Sequence, residues 1–382
     1  MKRTLLTLTT LLCTLSLWAQ RTELTINDGW HFHRGDITLN DNEFTSGAWT
    51  RVNLPHTRNR YDAFDETPGY YRGVGWYAYG FIPNEQWKGR NVILHFEGAN
   101  QVAEVFVNDT PVGSHTGGYT AFNFDITRHL DFGKKNIIKV RLDNKHDRDI
   151  PPLNADFTFY GGIYRNVKLI AVDPVHFDLQ NCASEGVFVE TPSVDSTRAT
   201  VVLRGDVVNN GDTPRPVKVK AVLRDRQGTV VGEAVKTMTL RGGSKNPFRF
   251  DGITLRQPHL WSPETPYLYT AEFSVEEAKG DRRTTDRIEI SFGVRWFSFS
   301  GDGFRLNGRK YPLKGTNRHQ DLAGLGNALN DDYHRNDYRK IKSLGFNFVR
   351  LAHYPQAPEV YRMCDELGLL VWTEIPVVNE VT

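Results

Sequence analysis

The sequence predicts a multidomain, largely β chain: a jelly-roll β-sandwich, an immunoglobulin-like β-sandwich, then about three strands of a (β/α)8 TIM barrel, left incomplete. Three observations predict it. Short runs of alternating apolar and polar residues, separated by Gly-, Asn- and Asp-containing turns, fill the chain to about Val175. Longer alternating runs follow to about Gly293. From about Val294 the pattern becomes strand, helix, strand, helix, strand with short links, the mark of a parallel sheet.

The first element is a secretion signal at residues 1–20. Lys2 and Arg3 form a positive start, and Leu5 to Trp18 is an apolar run too short to span a bilayer comfortably. Ala19 offers a small residue at the cut. Bulky Leu12 argues against lipidation of Cys13, and no later segment is long and apolar enough to anchor the chain. The expected location is therefore secreted or periplasmic.

Residues 21–175 form the first sandwich. Its strands include Val92 to Ala99, Ala103 to Asp109, a run within Gly117 to Thr127, Asn136 to Asn144, and a closing strand from Gly161 to Val172. Residues 176–293 form the second, with strands at Ala199 to Asn209, Val217 to Asp225 and Leu268 to Glu276. It carries few polar clusters with a chemical task and reads as a spacer. In 294–382, Tyr311 to Gly315 is the first strand. Asn330 then caps a helix with Asp331 and Asp332 in its first turn. Tyr338, Ile341 and Leu344 share one face, and Gly345 ends the helix in the left-handed conformation. A strand from Phe346 to Leu351 follows, then a helix from about Pro358 with Val360, Tyr361, Cys364 and Leu367 inward, Gly368, and a strand ending in Glu374. A doubly wound sheet competes, but it usually places a glycine-rich phosphate loop after its first strand, and none is present.

The charge balance of +2 over 382 residues gives no reason to expect nucleic acid or an anionic membrane as partner. Cys182 and Cys364 read as two buried free thiols, and no Cys/His spacing suggests zinc. The stretch from 296 to 382 is roughly a third of the ~250 residues such a barrel takes, so the sequence reads as the amino-terminal part of something longer.

In a parallel barrel the active site lies at the carboxyl ends of the strands. Here those ends carry Asn317, Arg318 and His319, then Arg350 and His353, then Glu374. Two histidines at consecutive strand ends favour function over structure. Arg350 either orients carboxylates within its strand or contacts a ligand directly, and Asn317 is equally a turn former. Trp372 reads as core packing and Tyr354 as a ring near the mouth.

The strings RGVGWYAYGF (Arg72 to Phe81), HFEGANQVAEVFVND, GGYTAFNFDIT, GGIYRNV, LWSPETPYLYT, FGVRWF, LKGTNRHQD, NFVRLAHYP and CDELGLLVWTEIP together resemble glycoside hydrolase family 2, most closely its β-galactosidases. The resemblance implies a sugar-binding jelly roll, a spacer sandwich and a catalytic barrel, acting on terminal β-D-galactosides in oligosaccharides or glycoconjugates. β-Glucuronidase and β-mannosidase of the same family are the alternatives, as is a carbohydrate-binding fragment without turnover. A homo-oligomer is compatible with it. Retaining hydrolysis needs two carboxyls about 5 Å apart, one as acid/base and one as nucleophile. In the family they close the fourth and seventh barrel strands, so both are expected beyond Thr382 and the given chain is expected to be inactive alone. Glu380, although it follows Asn379, comes too soon after the third strand to be the acid/base and reads as a loop residue.

The resemblance also implies that His319 and His353 contact sugar hydroxyls, with Arg318 and Arg350 flanking them. Asp156, six residues before Gly162, matches the aspartate that reaches from the first domain into the sugar pocket; the alternative is a loop aspartate capping a turn. Glu374 matches an acidic pocket position, with hydrogen bonding and metal binding equally open. Mg2+ or Na+ would belong to the complete enzyme. The Glu and His that help hold magnesium in relatives are replaced here by Val378 and Glu380.

Overall fold

The computed structural model describes residues 21–38, 48–280 and 283–381; the expected secretion signal lies outside the described residues. The first sandwich packs a six-stranded sheet on a four-stranded one. The six-stranded sheet runs Thr50–Val52, Trp30–Arg34, Val74–Phe81, Asn136–Asp143, Val102–Val107, Thr110–Thr116. The four-stranded sheet runs Thr22–Thr25, Val167–Val172, Asn91–Phe96, Phe122–Asp125, and every pairing in both is antiparallel.

Alternation explains the core. In Val102–Val107 the residues Ala103, Val105 and Val107 are buried and their neighbours half-buried, so one face points inward. The facing strand contributes Val92, Leu94 and Phe96.

The second sandwich sets Val175–Phe177, Arg198–Asn209, Val187–Val194 and Ser244–Arg256 against Val230–Leu240, Arg215–Arg224, Leu268–Glu277 and Thr284–Gly293. Its core of Phe177, Leu203, Val219, Phe248 and Phe273 again comes from alternate positions. Arg21 clamps the two sandwiches together through Asp286, a buried carboxylate that also accepts from the Phe177 backbone N–H.

After a small three-stranded meander from Phe297 to Lys310 comes the parallel unit. Its elements are β1 (Gly315–Arg318), α1 (Asp331–Ser343), β2 (Phe348–Leu351), α2 (Pro358–Leu367) and β3 (Leu370–Thr373), with strand order β1-β2-β3. The Asn330 side chain accepts from the N–H groups of Asp332 and Tyr333 and so caps α1. α2 begins on Pro358 and ends on Gly368 at φ 74°, a left-handed position.

Three expectations need correction. The first parallel strand begins at Gly315 rather than Tyr311, after Pro312, which has no N–H to give a ladder. Leu344 is 71 % exposed because it is the cap residue beyond the helix, and His334 takes the buried place on that face. Cys182 is exposed, since it lies in a surface turn at φ 53°; Cys364 is buried in α2.

Candidate active site

The parallel register decides which side chains meet. Asn317 pairs with Arg350 and Arg350 with Trp372, forming one row across the sheet. Arg318, Leu351 and Thr373 form the next row, facing the other way. Gly315 allows β1 to lie this close to β2, because a Cβ there would stand 2.3 Å from the Phe348 carbonyl oxygen.

Beyond the carboxyl ends of β2 and β3 is a hollow of about 540 Å3, lined by Asp156, Arg350, His353, Glu374, Val377 and Asn379 among others. Glu374 is its hub. Its Oε1 accepts from Arg350 Nε at 2.6 Å and its Oε2 lies 2.8 Å from His353 Nδ1. The same Nδ1 stands 3.1 Å from Arg350 Nη2, a donor, but the shorter contact to a carboxylate oxygen favours the tautomer in which Nδ1 carries the hydrogen and donates to Glu374. Burial works to raise the Glu374 carboxyl. The hydrogen bonds from Arg350 and His353, with the charges behind them, outweigh it and hold the group below the usual carboxylate range.

His319 stands beside this group, its ring centre 5.3 Å from that of His353. Its Nδ1 is 3.1 Å from the Tyr354 hydroxyl. Burial holds the His319 imidazole below its ordinary value, and Asp321 and Asp156 only partly oppose that. Phe157 of the first sandwich wedges against both histidines, with ring centres 5.5 Å from His319 and 6.0 Å from His353, and meets Tyr354 edge-on at 5.3 Å. One wall of the mouth therefore belongs to the first sandwich.

The fold thus gathers Asp156, Arg350, His353 and Glu374 at one hollow, with His319 adjacent. Asn317 is exposed one strand away, on the row that lines a second hollow with Thr316, Arg350 and Trp372. Arg318 is turned away from both. It is 7 % exposed and lies under α1, donating to Asp337 at 2.8 Å, to Gln356 Oε1 at 2.8 Å and to His334 Nδ1 at 3.0 Å.

Trp372 stands 56 % exposed rather than in a core, because the strand row it belongs to is uncovered among the described residues. Tyr354 is buried, stacked on Tyr119 at 4.4 Å, and has no face left for a ligand. Glu380 is exposed on the loop after β3 and does not line the hollow. Sequence reasoning missed Phe157, although it directly follows Asp156 on the same loop.

Glu374 is not free to hold magnesium or sodium, because both its oxygens face hydrogen-bond donors; Asp156 and Asn379 are the other oxygen-bearing side chains on the hollow, and Val377 and Val378 offer none. Among the described residues no three His, Cys, Asp or Glu are grouped to hold an ion.

Comparison with known proteins gives three consecutive matches. Residues 36–173 match the sugar binding domain of glycosyl hydrolases family 2, residues 185–295 match the model named for glycosyl hydrolases family 2 itself, and residues 298–382 match its TIM barrel domain. The chain is 35 % identical over 371 residues to a β-glucuronidase of Bacteroides fragilis, covering 97 % of this chain and 52 % of that protein. It is 34 % identical over 367 residues to a β-galactosidase of Thermoanaerobacter pseudethanolicus, covering 93 % and 47 %. The crystal structure of a Bacteroides uniformis β-glucuronidase superposes with a TM-score of 0.92 at 40 % identity, covering 95 % of this chain and 43 % of that one. The chain thus spans about half the length of the curated relatives it matches, or somewhat less. With a jelly roll, a spacer sandwich and the opening βα units of a barrel matched in order, it belongs to glycoside hydrolase family 2.

Proposed function

We propose that this chain supplies the amino-terminal portion of an exported, retaining β-glycosidase acting on terminal β-D-galactosides. The observation that carries the reading is the pair His319 and His353, 5.3 Å apart at consecutive strand ends, with Asp156 and Phe157 of the first sandwich brought against them. With Nδ1 of His353 donating to Glu374, its Nε2 is left to engage a sugar hydroxyl. Asp156, an acceptor with two oxygens, suits two neighbouring hydroxyls.

The portion described here binds and orients, and does not transfer the proton. Glu374 is held ionised by the Arg350 guanidinium and by the hydrogen bonds from Arg350 and His353, and is a poor general acid at neutral pH. Asp156 is the other carboxylate on the hollow and is exposed. We therefore expect residues 21–382 alone to show no turnover. Export rests on the apolar run at residues 5–18.

β-D-Glucuronides are the second reading, supported by 40 % identity to the B. uniformis β-glucuronidase. Hydrolysis of nitrophenyl β-D-galactoside and β-D-glucuronide by the full-length protein tests both. Faster turnover of the galactoside supports the first reading, faster turnover of the glucuronide replaces it with the second, and no turnover of either removes both. Hydrolysis by residues 21–382 alone would refute the division of labour.

A further inference from the structure

We propose that Arg165, on the closing segment of the first sandwich, is a positioning residue that holds both histidine-bearing loops in register. The proposal rests on the glycosidase reading and assigns the first sandwich a part in shaping the site beyond supplying Asp156.

Arg165 is 3 % exposed. Its Nη1 donates within its own domain, to the carbonyls of Glu97 at 3.2 Å and Tyr119 at 3.1 Å. Its Nη2 crosses the boundary and donates to Gln320 Oε1 at 3.0 Å and to the Pro355 carbonyl at 2.7 Å. Gln320 directly follows His319, and Pro355 comes two residues after His353. One planar guanidinium thus ties the first sandwich to the loop after β1 and to the loop after β2 at once.

All four acceptors are neutral, so attraction to a carboxylate does not explain its place. Its Nε is buried without a hydrogen-bond partner, a cost accepted to aim the two Nη groups. Lysine, a point charge without the flat fork, does not reproduce that geometry.

The same boundary carries a second, aromatic tie. Tyr119, whose carbonyl accepts from Arg165, stacks on Tyr354 at 4.4 Å with an 11° tilt, and the Tyr354 hydroxyl contacts His319 Nδ1. The Arg165 guanidinium lies 5.0 Å from the centre of the Tyr164 ring. Displacing the arginine frees the residues next to both histidines, and a shift of about 1 Å in a sugar-contacting group can cost ~100-fold in rate.

The test uses the full-length protein with Arg165→Lys and Arg165→Gln. Arg21→Gln is the comparator, since it cuts a buried tie at the other domain boundary. Two readouts are followed: kcat/KM on the better of the two nitrophenyl glycosides, and histidine ring signals by NMR of Cε1-labelled protein. We expect both Arg165 variants to lose at least about tenfold in kcat/KM and to shift the His319 and His353 signals, with those of His176 and His259 unmoved. Arg21→Gln should lower the melting temperature and leave kcat/KM and the two signals in place.

If Arg165→Gln does not fold, Gln320→Met and Gln320→Glu decide. Methionine removes one acceptor of the fork and should reproduce the loss, whereas glutamate keeps an acceptor and should retain the wild-type signals. Variants of Arg165 and Gln320 with kcat/KM within about twofold of wild type and unshifted signals would overturn the proposal. Wild-type protein inactive on both glycosides would remove the glycosidase reading, and the ring signals would then judge the positioning on their own.

Discussion

Glu374 bridges Arg350 and His353: its Oε2 lies 2.8 Å from His353 Nδ1, while its Oε1 takes the Arg350 Nε–H at 2.6 Å. A carboxyl held below its ordinary value stabilises the fold fully above its unfolded-state value, about 4.3 for glutamate. That stability is lost as pH falls through the lower folded value. Glu374→Gln should therefore lower unfolding free energy by about 1–2 kcal/mol at pH 7, the cost of leaving Arg350 half-paired in a partly open site. The gap to wild type should close as the pH is taken down towards 3. Urea midpoints at pH 7, 5 and 3 check this, and a gap that widens in acid would contradict it.

His334 offers the opposite charge type with the same direction. Burial, with Arg318 and Arg165 nearby, pushes its imidazole down from 6.5 to about 3. Neutral Nδ1 accepts from Arg318 Nη2 at 3.0 Å. Its contribution is present in full above the ordinary histidine value and is lost as pH falls towards the folded one. The His334 ring signal should stay flat from pH 8 to about 4.5 in the folded protein. Titration near 6.5 would show that the Arg318 knot is open in solution.

Much of this was legible in the sequence, because period-two alternation, the Asn330 cap and the helix-ending glycines are local signals. The first strand end was misread locally as well. Arg318 and His319 are adjacent near a strand end, so alternation alone should have warned that they point to opposite faces; Arg318 goes under α1. Trp372 misled differently. Its row faces a surface no described residue covers, and a pattern of apolar residues does not say what lies opposite. Arg165 was out of reach, since its partners Gln320 and Pro355 lie 155 and 190 residues along the chain.

Asp156 and Phe157 are neighbours with separable roles. Asp156 is exposed on the hollow, so Asp156→Asn should leave the urea midpoint unchanged and weaken galactose binding by about tenfold, the loss of one charge-assisted hydrogen bond. Phe157 is half-buried against His319, His353 and Tyr354, so Phe157→Ala should cost about 2 kcal/mol as well as affinity. Calorimetry and urea titration of the full-length protein separate the two. A stability loss in Asp156→Asn would show that this aspartate caps its turn rather than serving the ligand.

The two helix-ending glycines should differ in cost although their backbones are alike. Gly345 and Gly368 have φ of 81° and 74°, where a Cβ is strained by about 1–2 kcal/mol. At Gly345 an added Cβ meets nothing within 4 Å, so Gly345→Ala should cost only that strain. At Gly368 it would stand 2.6 Å from the Pro263 carbonyl oxygen, and that backbone cannot simply swing aside. The same oxygen accepts from Lys342 Nζ at 2.8 Å, and Trp261 of the second sandwich donates its Nε1–H to the Asp365 carbonyl at 2.9 Å. Gly368→Ala should thus cost about 2–4 kcal/mol, strain plus overpacking, and loosen the seam between the second sandwich and α2. Equal urea midpoints for the two alanine variants would mean that this seam is not closed in solution.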